Sequence, residues 1–264
     1  MHFTRYTVTG RFIFYLLTIV MLVSCARHMQ EGMMARRFRT ETVGSLGYNI
    51  FYPKGAIKSK DKYPLFLWLH GAGERGDDNV SQLIHIVPYL ASDIVQSSHP
   101  CIVVAPQCPA EDYWAPFVRF EWTIRDGGSI TPVMSAVVSL VEKLLKDSHV
   151  DKDRVYVGGL SMGGFGTLDL LHRHPEWFAA AVPVCGGADL GQVSKYKDIP
   201  LWVFHGARDE VVKPELSRNL VKTLEKMGSS PKYTEYPDGG HDIWNRAIRE
   251  PELLDWLFSQ RKIR

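Results

Sequence analysis

One segment, 154–166, joins an apolar run to a helix-forming stretch through a turn flanked by glycines. Its sequence, Arg-Val-Tyr-Val-Gly-Gly-Leu-Ser-Met-Gly-Gly-Phe-Gly, predicts a strand, a sharp turn and the start of a helix, with Ser161 at the turn. A turn this tight strains the backbone of its central residue, and small neighbours such as Gly159 and Gly163 avoid a clash. The segment therefore predicts that the Ser161 hydroxyl projects above the end of a buried strand.

Much of the remaining chain alternates between short apolar runs and segments of helical length. Five runs have the nearly continuous apolar character of strands buried on both faces: 65–69, 102–105, 155–157, 179–184 and 201–204. Segments 133–146 and 214–227 have helical length and periodicity, and alternating stretches at 38–43 and 47–52 indicate an antiparallel hairpin. The predicted fold class is α/β, a mostly parallel, doubly wound sheet with helices on both faces.

Length and composition agree with one globular domain. The 264 residues are 45% hydrophobic and 23% charged, which excludes a disordered or fibrous chain and allows one large core. The formal net charge of +2 is matched by Arg5 and Arg11, because the first 24 residues contain no acidic residue. The rest of the chain carries no net formal charge, so we expect no nucleic-acid partner.

The turn at Ser161 needs a base, because a serine hydroxyl is a poor nucleophile until its proton is removed. His241 is the candidate base, since the paired glycines before it allow a loop to carry the imidazole over the turn. A surface loop histidine is the alternative reading of this residue. His70 and His205 also end apolar runs, but we interpret them as structural: His70 opens a glycine loop, and His205 precedes the candidate acid.

The third candidate is a carboxylate that orients the imidazole and stabilises its charged form. Asp209 follows the run 201–204 and preserves the chain order Ser, Asp, His that accompanies this kind of turn. Glu210 is the rival. Asp238 and Asp242 are too close to His241 in sequence to orient it.

Two backbone amides are candidates for binding the negative charge that develops on a substrate oxygen. One is the N–H of Met162, directly after Ser161, where a helix begins. The other is the N–H of Ala72, in the glycine loop that follows the run 65–69. Glu74 and Arg75 are expected to brace this loop.

A long irregular segment, 106–129, is rich in aromatic residues. Such rings wall a substrate pocket, stack on sugar rings, or pack as a cap. Trp114 is the candidate for contact with substrate, with packing as an equal alternative, whereas packing is favoured for the other rings.

The amino terminus has the layout of an export signal, with a basic start, the apolar run 12–23 and then small residues. Twelve apolar residues are too few for a helix to cross a membrane, which takes about 20. Residues 22–25, Leu-Val-Ser-Cys, resemble a bacterial lipoprotein cleavage box, in which Cys25 becomes the lipidated first residue. We therefore predict a signal peptide at 1–24, a tether at 25–35 and a catalytic domain at 36–264, exported and membrane-anchored in the cell envelope. A plain secretory signal and an uncleaved anchor are the alternatives.

No metal or cofactor motif is found in the sequence. The histidines are scattered, Cys-x-x-Cys is absent, and the glycines near His70 match neither a dinucleotide fingerprint nor a phosphate-binding loop. After Cys25 three cysteines remain, Cys101, Cys108 and Cys185, so at most one disulfide is possible within the chain.

With these motifs in place, the chain resembles the carboxylesterase and polyhydroxybutyrate-depolymerase-like branch of the α/β-hydrolase superfamily, close to feruloyl and acetyl esterases. The resemblance covers nearly the whole predicted mature chain. It is carried by Ser161, Asp209 and His241, the loop from His70, Pro106-Gln107-Cys108-Pro109, and the segment 174–180. It implies cofactor-free hydrolysis of small acyl or aromatic acyl esters, carbohydrate-linked esters among them, through a Ser-His-Asp triad and an acyl-enzyme.

Two other functions stay open at this point. Prolyl-oligopeptidase-like serine peptidases share the turn and the fold, although they usually carry a large additional domain. A non-catalytic surface lipoprotein that binds glycans on the same scaffold is the second alternative.

Overall fold

The computed structural model describes residues 38–118, 123–124 and 128–262, which belong to one compact unit, Phe38–Arg264. The predicted signal peptide, the tether and Cys25 lie outside the described residues and stay predictions. Among the helices of the described part, none combines the length and the apolar character that a membrane span needs.

The strands of the described part are β1 Arg39–Val43, β2 Leu46–Phe51, β3 Tyr63–Leu69, β4 Ile102–Pro106, β5 Phe117–Val118, β6 Thr123–Ile124, β7 Val150–Leu160, β8 Ala180–Val184, β9 Trp202–Gly206 and β10 Lys232–Tyr236. Eight of them form the main sheet, in the order β1-β2-β4-β3-β7-β8-β9-β10. Strands β1 and β2 form the predicted antiparallel hairpin, and β2 pairs antiparallel with β4. The other pairs in this sheet are parallel. The predicted α/β fold class is confirmed.

Helices and short 3₁₀ turns connect the strands. The helices are α1 Val87–Leu90, α2 Asp93–Ser98, α3 Pro132–Leu144, α4 Met162–Arg173, α5 Glu215–Lys226, α6 Trp244–Ala247 and α7 Leu253–Ser259. The 3₁₀ turns are Ala56–Lys58, Ala72–Glu74, Ser81–Leu83, Pro175–Trp177 and Leu190–Tyr196. Helices α3 and α5 correspond to the two helical segments that the sequence predicts.

Both faces of the sheet are covered, which explains why the central strands read as continuous apolar runs. On β3, Leu65 and Leu67 belong to the main core cluster together with Met134 of α3. The alternate residue Trp68 points to the other face and is also buried. On that face Tyr156 of β7 packs edge-on against Phe258 of α7 at 5.5 Å. Because the parallel strands run in the same direction, their carboxyl ends lie at one edge of the sheet, where loops can bring functional side chains together.

Candidate active site

Ser161 lies between the end of β7 and the start of α4, as the sequence predicts. Its backbone has φ 52° and ψ −117°, a positive-φ conformation that a residue with a side chain rarely adopts. The Ser161 N–H donates to the Val184 carbonyl at 2.8 Å, which ties the turn to the end of β8. Because a strained residue persists only where its surroundings hold it, this geometry marks a candidate functional position.

The two glycines that flank the turn are required by close backbone contacts. A Cβ added at Gly159 would lie 2.3 Å from the Gly163 carbonyl oxygen. A Cβ added at Gly163 would lie 1.9 Å from the Leu69 carbonyl oxygen, at the end of β3. Neither position has room for a side chain, because the atoms in the way belong to the backbone.

Gly163→Ala is expected to lower the free energy of unfolding by about 2 kcal/mol or more, since the backbone of β3 or α4 must move to admit the methyl group. Urea unfolding measures this change. Gly73→Ala is the matched control, because no atom lies within 4 Å of a Cβ at that position. We expect the control to change stability by less than about 0.5 kcal/mol. Equal stability of the two variants would show that the contact at Gly163 does not constrain the turn.

His241 reaches Ser161 from the loop between β10 and α6. Its Nε2 lies 2.9 Å from the Ser161 Oγ, and its Nδ1 lies 2.7 Å from the Asp209 Oδ2. The loop is held against the end of β9, since a Cβ at Gly206 would lie 2.1 Å from the Gly240 carbonyl oxygen. Gly206 therefore allows the close approach that brings the imidazole over the turn.

Asp209 is the carboxylate that meets His241, whereas its rival Glu210 is exposed. The Asp209 Oδ1 accepts hydrogen bonds from the N–H groups of Val211 and Val212, both at 2.9 Å. Burial alone would raise the pKa of Asp209, but hydrogen bonds from two imidazoles and the Val212 N–H outweigh it. The pKa of this carboxyl is therefore held well below its ordinary value, and the group is a carboxylate at neutral pH.

The two candidate oxyanion donors stand at the first positions of helical turns. Met162 begins α4 and Ala72 begins a 3₁₀ turn, so neither N–H has a partner within its own helix. The two segments touch, because a Cβ at Gly163 would lie 2.7 Å from the His70 carbonyl oxygen. The contact places the glycine loop beside the amino terminus of α4.

Glu74 and Arg75 brace the glycine loop. The Glu74 Oε2 accepts the Gly71 N–H at 2.7 Å, and the Arg75 Nε donates to the Ala72 carbonyl at 3.0 Å. Both bonds fix the backbone on either side of the Ala72 N–H.

The buried side chain of His70 connects the glycine loop to the loop that contains Cys108. Its Nδ1–H donates to the Gly71 carbonyl at 2.6 Å, and its Nε2 accepts the Cys108 N–H at 2.9 Å. Protonation of Nε2 would destroy the second bond, so the buried ring is neutral. Burial lowers the pKa of His70 from 6.5 to about 4.

His70 should make the protein less stable in mild acid. Its folded pKa lies below its unfolded value, so its contribution is complete above pH 6.5 and is lost as the pH falls towards 4. We expect a loss of about 2 kcal/mol between pH 7 and pH 4.5 from this residue, measured by urea unfolding. His70→Gln should remove that part of the pH dependence. An unchanged slope in the variant would show that His70 is not its source.

Trp114 does not face the site, and its assignment as a substrate contact is wrong. The side chain is fully buried, and its indole N–H donates to the His70 carbonyl at 3.0 Å. A Cβ at Gly166 would lie 2.4 Å from the Trp114 Cβ, so the residue packs directly on α4. Trp114 therefore packs between α4 and the start of the glycine loop and holds the loop through the His70 carbonyl.

In the described part of the chain, an aromatic residue that does lie beside the reacting groups is Trp244, the first residue of α6. Its half-buried ring lies edge-on to His241 with the ring centres 5.6 Å apart. The ring of His85 also contacts Trp244, with the ring centres 5.3 Å apart. In the sequence, Trp244 follows the candidate base by three residues, but this spacing does not tell which way the ring faces.

The cysteines of the described part, Cys101, Cys108 and Cys185, are all buried and free. Cys185 lies near the site, where its Sγ donates to the His241 carbonyl at 3.4 Å. Burial raises the pKa of this thiol. Cys185, His205 and Asp209 place ligand-type atoms within 4.8 Å of one another, but each of them makes hydrogen bonds to protein groups.

The fold and the geometry at Ser161 together define a serine hydrolase with the α/β-hydrolase fold. The family model described as phospholipase/carboxylesterase matches residues 56–251, and the chain belongs to this family. It is accordingly a serine ester hydrolase.

Several relatives support this placement. A probable carboxylesterase of Oryza sativa subsp. japonica is 26% identical over 204 residues, covering 71% of this chain and 85% of the relative. A bifunctional acetylxylan esterase/xylanase of Neocallimastix patriciarum is 26% identical over 124 residues, which is 46% of this chain and 17% of that protein. The crystal structure of a thermostable esterase superimposes with a TM-score of 0.80 at 37% identity. The match covers 87% of this chain and 64% of that one.

Proposed function

We propose that the chain hydrolyses small acyl or aromatic acyl esters, carbohydrate-linked esters among them. Ser161 is the nucleophile, His241 the general base and Asp209 the carboxylate that orients it. The observation that carries the proposal is the hydrogen-bonded series from Asp209 through His241 to Ser161, at 2.7 and 2.9 Å. These distances lie within the reach that proton transfer requires.

In the first half of the reaction, the Ser161 Oγ attacks the ester carbonyl carbon while its proton passes to the His241 Nε2. The Nδ1–H of His241 stays hydrogen-bonded to Asp209, whose negative charge stabilises the imidazolium. The N–H groups of Met162 and Ala72 donate to the oxyanion of the tetrahedral intermediate. His241 then gives the proton to the departing alkoxide, and the acyl group remains on Ser161.

In the second half, a water molecule takes the place of the alcohol. His241 removes its proton as the oxygen attacks the acyl carbon, and the same two N–H groups bind the new oxyanion. Collapse of this intermediate returns the proton to Ser161 and releases the carboxylic acid. The substrate, water, Ser161 and His241 supply and receive every proton and acyl group that these steps transfer.

The ring of Trp244 supports an aromatic or sugar-bearing substrate. It lies beside His241 and is half-buried, so part of the residue stays accessible. An aromatic acyl group gains about 0.5–1.5 kcal/mol from packing against such a ring. The name of the acetylxylan esterase/xylanase relative agrees with an acyl group carried on carbohydrate.

A panel of acetyl, butyryl, feruloyl and peptide substrates tests the proposal against the wild type and Ser161→Ala. We expect ester turnover that depends on Ser161. Cleavage of the peptide with no turnover of any ester would favour the peptidase alternative. Sugar binding by a protein that neither hydrolyses esters nor reacts with a fluorophosphonate would favour the glycan-binding scaffold.

We propose further that Cys25 is lipidated and anchors the exported protein to a membrane, on the support of the sequence at 22–25. Cells grown with an alkyne-labelled fatty acid should incorporate the label into the wild type. Cys25→Ala should carry no label and leave the membrane fraction. Cys101→Ala is the control and should keep it. Label retained in Cys25→Ala would contradict the proposed lipidation site.

A further inference from the structure

His205 is a second histidine at the proposed acid, and the mechanism leaves it without a role. It lies near the end of β9 and is fully buried. Its Nε2 lies 3.2 Å from the Asp209 Oδ2 and 3.0 Å from the Val212 carbonyl oxygen. Its Nδ1 lies 2.7 Å from the Oγ of Ser217, a buried residue of α5.

The position of one proton on His205 follows from its neighbours. Both atoms that Nε2 faces are acceptors, so Nε2 must carry a hydrogen. The Ser217 hydroxyl bonds the ring at Nδ1 and lies 3.2 Å from the Gly186 carbonyl oxygen. Whichever of the two accepts the hydroxyl hydrogen, Nε2 keeps its hydrogen, and this N–H is shared between the Val212 carbonyl at 3.0 Å and the Asp209 carboxylate at 3.2 Å.

The donor at Nε2 completes the shell of hydrogen bonds around the Asp209 carboxylate. Two backbone N–H groups donate to Oδ1, and the His241 Nδ1–H donates to Oδ2. The shared N–H of His205 faces the same Oδ2 at 3.2 Å. A carboxylate held by four donors cannot rotate without losing several of them. Its Oδ2 therefore stays aimed at the His241 Nδ1 when the imidazole gains a proton.

Few other ionisable groups surround His205. The Cys185 Sγ is part of the same cluster, and Glu235 lies opposite on the neighbouring strand β10. Glu235 is bound instead by Arg218, through hydrogen bonds of 2.8 and 2.6 Å. The close carboxylate partner of His205 is Asp209.

We propose that His205 is a positioning residue of this esterase, which holds the Asp209 carboxylate in line with His241 through its Nε2–H. The inference rests on the proposed roles of Ser161, Asp209 and His241. Its effect is on the chemical step, because His205 is buried and has no route to substrate.

The test compares His205→Phe, which removes the donor, with His205→Gln, which can place an amide N–H near the position of Nε2. We expect His205→Phe to lower kcat for p-nitrophenyl acetate by about 10- to 100-fold with KM changed less than about twofold. His205→Gln should retain kcat within about fivefold of the wild type. The downfield proton resonance of the His241 Nδ1–H should persist in His205→Gln and weaken in His205→Phe.

Ser217→Ala tests the positioning role of His205 if His205→Phe does not fold. It frees the ring at Nδ1 and should lower kcat by about threefold or more at unchanged KM. Wild-type kcat in every folded variant would overturn the inference, and so would equal losses in folded His205→Phe and His205→Gln. The proposed function fails separately, if the wild type turns over no ester or if Ser161→Ala retains the activity.

Discussion

Ser161→Ala should lower kcat for p-nitrophenyl acetate by at least about a thousandfold, and by as much as about a millionfold. The variant lacks the hydroxyl oxygen that lies 2.9 Å from the His241 Nε2, while the proposed oxyanion donors remain. Residual catalysis then comes from binding and charge stabilisation alone. Steady-state kinetics on purified protein measure the loss.

The free energy of unfolding should be almost unchanged in Ser161→Ala, because alanine must adopt the same positive-φ backbone conformation as serine. The matched control is Ser139→Ala, on the exposed side of α3, which should keep wild-type kcat. A loss of less than tenfold in folded Ser161→Ala would contradict the assignment of the nucleophile.

Asp209→Asn should lower kcat by about 10⁴-fold. The backbone N–H groups of Val211 and Val212 hold Oδ1, so the amide nitrogen of asparagine must occupy the position of Oδ2. It would face the His241 Nδ1 as a donor. The imidazole must then carry its hydrogen on Nε2, where it cannot accept the proton of Ser161.

Glu210 is the exposed neighbour of Asp209. Comparing kcat of Asp209→Asn with kcat of Glu210→Gln shows which of the two carboxylates orients His241. We expect the large loss only in Asp209→Asn, and wild-type activity in Glu210→Gln. The reverse result would make Glu210 the acid and would require a loop arrangement different from the observed one.

The parallel strands are predictable from sequence because burial on both faces leaves continuous apolar runs. The edge strand β10, Lys232–Tyr236, has no such run, since most of its side chains are only half-buried. The short β5–β6 hairpin lies in a segment that the sequence describes only as irregular. Strand detection therefore fails where one face meets water or where pairing is brief.

The residues of the candidate site also differ in whether the sequence predicts them. Ser161 and Asp209 stand out because each follows an apolar run, and the carboxyl ends of parallel strands meet at one edge. His241 stands out through the paired glycines before it. Trp114 and Trp244 cannot be ranked from sequence, since the direction of a ring depends on how loops pack. The contact of His205 with Asp209 is equally hidden, because the two residues are four apart in a turn whose geometry only the fold determines.

The most direct test of the account is to label the wild-type protein with a fluorophosphonate and to find the modified residue by peptide mass spectrometry. We predict one adduct, on Ser161, formed in parallel with the loss of ester turnover and absent from Ser161→Ala. An adduct on another residue, or ester turnover that survives complete labelling of Ser161, would contradict the central claim.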